Sequence, residues 1–132
     1  MATARRGFTL VEIMVVVGIL GIVSAIVLLP NVLRSRLTAN DSIAQTTLKT
    51  ISSALETYLI NNNAYPPDTD SLRAAAPPYL QTDFFDGQPH SGFHYTADTL
   101  TDYTYAITAA PLNANQGTRS FTMTTGGVLT AN

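Results

Sequence analysis

The stretch "RRGFTLVEIMVVVGILGIV", residues 5–23, decides how the chain is read. Two arginines and a glycine lead into an apolar run that carries a single carboxylate, Glu12. The run extends from Phe8 to Leu29, 22 residues with no other charge. As an α-helix it would be about 33 Å long, enough to cross a hydrocarbon core of roughly 30 Å. A buried core helix is disfavoured, because the remaining residues, about 100, could not cover an apolar cylinder of that length. A secretory signal peptide has a candidate cut at Val23-Ser24-Ala25, yet Ile26 to Leu29 continues the apolar run beyond it. A plain single-pass anchor accounts for the length and leaves the acid unexplained. A carboxylate at bilayer depth costs about 3 kcal/mol, so Glu12 demands a function.

The rest of the composition narrows the classes. A chain of 132 residues suits one small folded unit beside the apolar segment. Seven Lys and Arg against nine Asp and Glu give a formal charge of −2, and no basic patch follows the first helix, which argues against nucleic acid as a partner. There is no cysteine, so disulfides, thiolate chemistry and a lipoprotein anchor are excluded, while an oxidising compartment stays allowed.

"GFTLVE", residues 7–12, resembles the class III leader of type IV pilins and type II secretion pseudopilins. In that family a short basic leader ends in Gly, a membrane peptidase cuts after it and methylates the new amino terminus, and the fifth mature residue is Glu. The resemblance therefore implies cleavage by prepilin peptidase between Gly7 and Phe8, N-methylation of Phe8, and an assembly-registry role for Glu12. Elementary electrostatics fits this. Arg5 and Arg6 hold the leader on the cytoplasmic side, and Gly7 leaves the backbone open to a protease. Glu12 stands one helical turn from the new Phe8 amine, near the positive end of the helix dipole. Paired across neighbouring subunits in a low-dielectric site, the two charges reject a mismatched axial position at a cost of several kcal/mol, about 3–5 for a buried pair broken. Arg34 and Arg36 beyond the run balance Arg5 and Arg6, so charge alone does not orient the helix, and the cytoplasmic placement of the leader rests on the resemblance. Gly18, Gly21 and Ala25 form small notches for close helix approach. Pro30 is expected to kink or loosen the helix, one position later than the family's usual proline.

After Pro30 a helical period resumes. Ile43, Leu48, Ile51, Leu55, Tyr58 and Leu59, with Ala44, Thr47 and Ala54, fall on one side; Gln45, Lys49, Ser53 and Glu56 fall on the other. Asn61-Asn62-Asn63 should stop the helix and Pro66-Pro67 prevent its resumption. "ALETYLINNNAYPPDTDSLRAAAPPYL", residues 54–80, adds to the resemblance to the pseudopilin head, with a short helix expected over 71–76. Strands are expected at 93–96, 103–108 and 120–124, with Tyr103, Tyr105, Ile107, Phe121 and Met123 facing one way, then a turn at Thr125-Gly126-Gly127 and a last strand at 128–130. The expected class is α+β: a pilin-like fold whose long N-terminal spine helix packs on a small antiparallel sheet of three or four strands. Its divisions are a leader over 1–7, a helix over 8–60 (8–29 transmembrane and filament core, 30–60 amphipathic) and a globular head over 61–132.

Metal chemistry has few candidates. Asp83, Asp86, His90 and His94 are the one cluster of ligand types, but Pro89 and Gly92 make the segment a loop, where spacing predicts no convergence. Solvated turn residues are the default. The resemblance suggests calcium in an acidic C-terminal loop, yet no acid follows Asp102. Calcium through Asp98 and Asp102 is the alternative to a plain surface turn. No catalytic arrangement emerges, and no cofactor is expected.

The resemblance implies a structural subunit of a type IV filament, either a type IV pilus or a type II secretion pseudopilus, polymerised through its N-terminal helix. Implied partners are copies of itself in a helical filament, the prepilin peptidase, an assembly ATPase and an inner-membrane platform protein. The precursor would sit in the bacterial inner membrane with its head outside the cytoplasm, and the filament in the periplasm or outside the cell. The competing reading is a non-polymerising, single-pass anchored binding domain using the 83–94 loop.

Overall fold

The computed structural model describes residues 7–132, with side chains described throughout except at 27–30. Its first helix, α1, spans Leu10–Asn62; a short α2 follows at Ser71–Ala74. Four strands complete the chain: β1 (Phe93–Leu100), β2 (Tyr105–Pro111), β3 (Phe121–Thr124) and β4 (Val128–Ala131). They form one antiparallel sheet in the order β1-β2-β3-β4, a meander in which each strand pairs with its sequence neighbours. The chain divides into two units, one ending at Ser35 and the other covering Arg36–Asn132.

In the second unit the α1 residues Ala44, Leu48, Ile51 and Leu55 recur at three and four positions and are buried. They meet Phe93 and Tyr95 of β1, Tyr105, Ile107 and Ala109 of β2, and Phe121 and Met123 of β3 in one core. Burying each large side chain contributes about 1.5–3 kcal/mol, which sets the helix face and the strand register together. Ile43, expected on the apolar side, stands at its edge and is exposed. The helix ends two residues later than about Ile60. Asn63 takes a left-handed φ of 57° and its N–H bonds to the Leu59 carbonyl at 2.7 Å, the asparagine-capped form of a helix C-terminus.

The expected α+β architecture is observed, with four strands. Two details differ. α2 is shorter than 71–76, stopping at Ala74. Tyr103 does not begin β2: Thr101 and Thr104 close a tight turn between β1 and β2, and Tyr103 projects from it, 79% exposed. β1 runs four residues past Thr96, to Leu100, because a bulge between Ala97 and Thr99 shifts the register instead of ending the pairing. Gly117 is buried under β1. A Cβ there would lie 2.3 Å from the Phe93 ring, so only glycine lets this loop close over the aromatic side chain.

Candidate processing and assembly site

Gly7, Phe8 and Thr9 precede α1 in non-helical backbone, and all three are exposed. Thr9 is the N-cap. Its Oγ1 accepts the backbone N–H of Glu12 at 3.2 Å, and its carbonyl accepts the N–H of Ile13 at 3.2 Å. Thr and Glu three apart form the sequence signature of a capping box, a signal the motif "FTLVE" carries in addition to its acid. Glu12 thus occupies the first turn of α1, where backbone N–H groups leave a partial positive charge. The Gly7–Phe8 peptide stands outside the hydrogen-bonded helix, where an extended backbone can enter a protease cleft.

From Ile13 to Ile26 the helix carries no charge and is apolar on all sides except for Ser24. Phe8 is 76% exposed, and Leu10, Val11, Met14, Ile19, Leu20, Ile22 and Ile26 are exposed as well. Gly18 and Gly21 face open space, so a neighbouring helix could approach there closely. Ser24 donates its hydroxyl to the Leu20 carbonyl at 2.7 Å, removing its one polar proton from the surface. α1 contains a segment long and apolar enough to cross a membrane by length and composition. Its helical assignment continues through Pro30; the Pro30 side chain, and with it the expected kink, falls outside the described residues, as do Arg5 and Arg6.

Residues 3–28 match the prokaryotic N-terminal methylation motif. The chain carries that motif across Gly7, Phe8 and Glu12. It is also 46% identical over 70 residues to core protein G of the type II secretion system of Pseudomonas aeruginosa, a match covering 53% of this chain and 49% of the relative. Against the same protein of Pectobacterium carotovorum the identity is 40% over 70 residues, 53% and 44% of the two lengths. The type IV wide pilus major component PilA4 of Thermus thermophilus is 39% identical over 67 residues, 51% of this chain and 50% of the relative. The chain spans about half the length of the curated relatives it matches. The long N-terminal helix with a four-strand antiparallel sheet agrees with a pilin-like fold.

The head's candidate ligands are scattered. Asp83 pairs with Arg73 at 2.6 Å and accepts the Phe85 N–H at 3.0 Å. Asp86 accepts the Gln88 N–H at 2.8 Å and meets His90 Nε2 at 3.2 Å; the Gln88 bond, then His90, holds its carboxyl below the usual range. His90 also packs edge-on against Phe84, while His94 belongs to β1. Asp98 sits at the β1 bulge, with its two oxygens accepting the Thr96 and Thr108 hydroxyls. Asp102 lies in the next turn, and its backbone carbonyl accepts the Tyr65 N–H. Among the described residues no three His, Cys, Asp or Glu side chains converge as metal ligands. Calcium takes six to eight oxygens, so backbone carbonyls, hydroxyls or water would have to complete a set begun by Asp98 and Asp102.

One residue was misplaced by the helical period. Glu56, assigned to the solvent side, turns its Oε1 to the Tyr65 hydroxyl at 3.0 Å, the Tyr105 hydroxyl at 3.2 Å and the Gly126 N–H at 3.2 Å. Since Tyr105 gives its proton to the carboxylate, Ser52, 2.8 Å away, donates to the Tyr105 oxygen. Burial, assisted by Glu56, pushes the Tyr65 hydroxyl far above the ordinary phenol range, and burial raises Tyr105 too. Fifteen residues earlier on the helix, Asp41 accepts both the N–H and the hydroxyl of Thr118. The head is tied to α1 by carboxylates at both places.

Proposed function

We propose that the chain is a structural subunit of a type IV filament, made as a membrane-anchored precursor, cut between Gly7 and Phe8, methylated on Phe8 and polymerised through its N-terminal helix. The observation that carries this reading is the segment from Phe8 to Ile26, exposed and overwhelmingly apolar, with one acid in the first turn of its helix. Such a surface is stable only in lipid or against copies of itself. The methylation motif over residues 3–28 supports the processing step, and the secretion-system and pilus relatives support filament assembly over an enzymatic role.

In this reading Glu12 sets the axial register by meeting the Phe8 amine of a neighbouring subunit, the apolar helices form the filament core, and residues 61–132 with the end of α1 coat it. Cleavage removes Arg5 and Arg6, leaving five basic and nine acidic residues. It also spares the filament core two cations that nothing there would neutralise. The head would remain outside the cytoplasm, with a peptidase, an assembly ATPase and a membrane platform protein acting on the helix. Type IV pilus and type II secretion pseudopilus are both served by this chemistry, and the relatives include components of each.

Intact mass and N-terminal sequencing of the membrane and filament fractions test the proposal. The expected product begins at N-methylated Phe8. A product beginning at Met1 in wild-type cells, or at Ile26, would overturn it in favour of an anchored or secreted binding domain.

A further inference from the structure

The sheet has two outer edges, and the chain treats them differently. On β1 the outward groups of Phe93 are already taken: the His90 N–H donates to the Phe93 carbonyl at 2.8 Å, and the Phe93 N–H returns to the His90 carbonyl at 3.1 Å. A bulge follows at Ala97 to Thr99, and Asp98 places a charge there. These are the usual guards against another strand adding to an edge. β4 has none of them. Val128–Ala131 contains no charge, proline, glycine or bulge.

The ladder shows which groups β4 leaves open. The Asn132 N–H donates to the Ser120 carbonyl at 2.9 Å. With period two in an antiparallel pair, Thr130 and Val128 likewise bond inward to Thr122 and Thr124. The N–H and C=O groups of Leu129 and Ala131 therefore point away from β3. Beside this edge runs a groove of about 410 Å³, walled by Ser42 and Gln45 of α1 and by Arg119, Phe121, Leu129 and Ala131. Arg119 makes no ion pair or hydrogen bond among the described residues. Asp41, the one acid in the groove, is spent on Thr118.

The geometry points to a β-augmentation site: an extended segment of a partner polypeptide adds as a fifth strand along β4, places alternate small apolar side chains in the groove, and sets a carboxylate against Arg119. A copy of this chain is the poorer occupant: its β1 is the guarded edge, and its β4, Val128–Ala131, brings no carboxylate to meet Arg119.

Amide hydrogen exchange on the full chain in detergent micelles tests the inference. The probe is a short capped peptide alternating valine and threonine with one aspartate; its control carries N-methyl groups at alternate residues, which block the ladder. Without probe, the Leu129 and Ala131 amides should exchange fast and the Thr130 amide slowly. With probe, Leu129 and Ala131 should slow roughly tenfold, and with the N-methylated control they should not. Ala131→Pro deletes one outward N–H and no β3 bond, so it should abolish the effect while Thr130 stays protected. Arg119→Gln should weaken probe binding several-fold. Equal protection by both peptides, or none, overturns the site. Protection of Leu129 and Ala131 without probe that grows with protein concentration overturns the choice of occupant, assigning the edge to a second copy.

Discussion

The Thr9 side chain holds the N–H of Glu12 at 3.2 Å, so the residue that opens the helix also fixes the backbone of its acid. Two residues that look like a motif are therefore one local device. Thr9→Ala removes an N-cap worth about 1 kcal/mol. Faster amide exchange is expected at Glu12 and Ile13 in micelles, with Thr9→Ser restoring the wild-type rates. If serine behaves like alanine, the cap is not what orders this turn.

Glu12 itself is predicted to matter for assembly and not for folding, because its surroundings in the single chain are exposed. Glu12→Ala and Glu12→Gln should both leave precursor abundance and Gly7–Phe8 cleavage unchanged while filament yield falls at least about tenfold, a loss equivalent to some 1.4 kcal/mol per contact. Sheared-filament yield against membrane-pool abundance measures this directly. Normal filaments from Glu12→Gln would mean that charge plays no part in register.

Glu56 makes the opposite forecast. Its Oε1 receives two tyrosine hydroxyls and one backbone N–H, so Glu56→Ala strands three donors at a cost of about 2–4 kcal/mol. Thermal unfolding of the head should drop by roughly 10–20 °C on the scale of a domain of this size. Lys49→Ala, on the exposed side of the same helix, should change it by no more than a few degrees. Equal effects from both variants would remove the network from the account of stability.

The same network fixes how the head responds to base. Tyr65 and Tyr105 hold their protons above the ordinary phenol value, which their unfolded counterparts lose near about pH 10. Above that pH the unfolded chain binds fewer protons than the folded one, so the stability present below it falls as pH rises. Urea midpoints between about pH 9 and 11 should fall for the wild type and fall less steeply for Tyr65→Phe. An identical slope in the variant would place the titration elsewhere.

The spine helix, the sheet and the processing motif were legible because each rests on a pattern of local origin: an apolar run, period two, and Gly-Phe with Glu in register. What escaped notice depended on tertiary distance. A helical wheel sends Glu56 outward, yet Ser52 and Glu56, four apart, lie on the flank of the stripe where Tyr105 and the β3–β4 turn reach them. Alternation sends Tyr103 inward, but a turn bonded through Thr101 and Thr104 removes it from the strand. The bulge that carries Asp98 past Thr96 has no signature in alternation, since it is set by the neighbouring strand. Thr9, by contrast, was readable: the capping signature is contiguous, and the acid drew attention away from it.

Asp41 and Glu56 lie fifteen residues apart on one helix, about 22 Å along its axis, and each is fastened to a different part of the head. Any pull along this helix, as filament assembly in the proposed reading would exert, drags the sheet along. With a fastening near each end of the shared length, that load divides between two anchorages and acts in shear across the apolar contacts between them. Cutting either one turns a distributed shear into peeling from a single end, the weaker way for any glued joint to fail. A head that survives heating can in this way still be torn from its spine under tension.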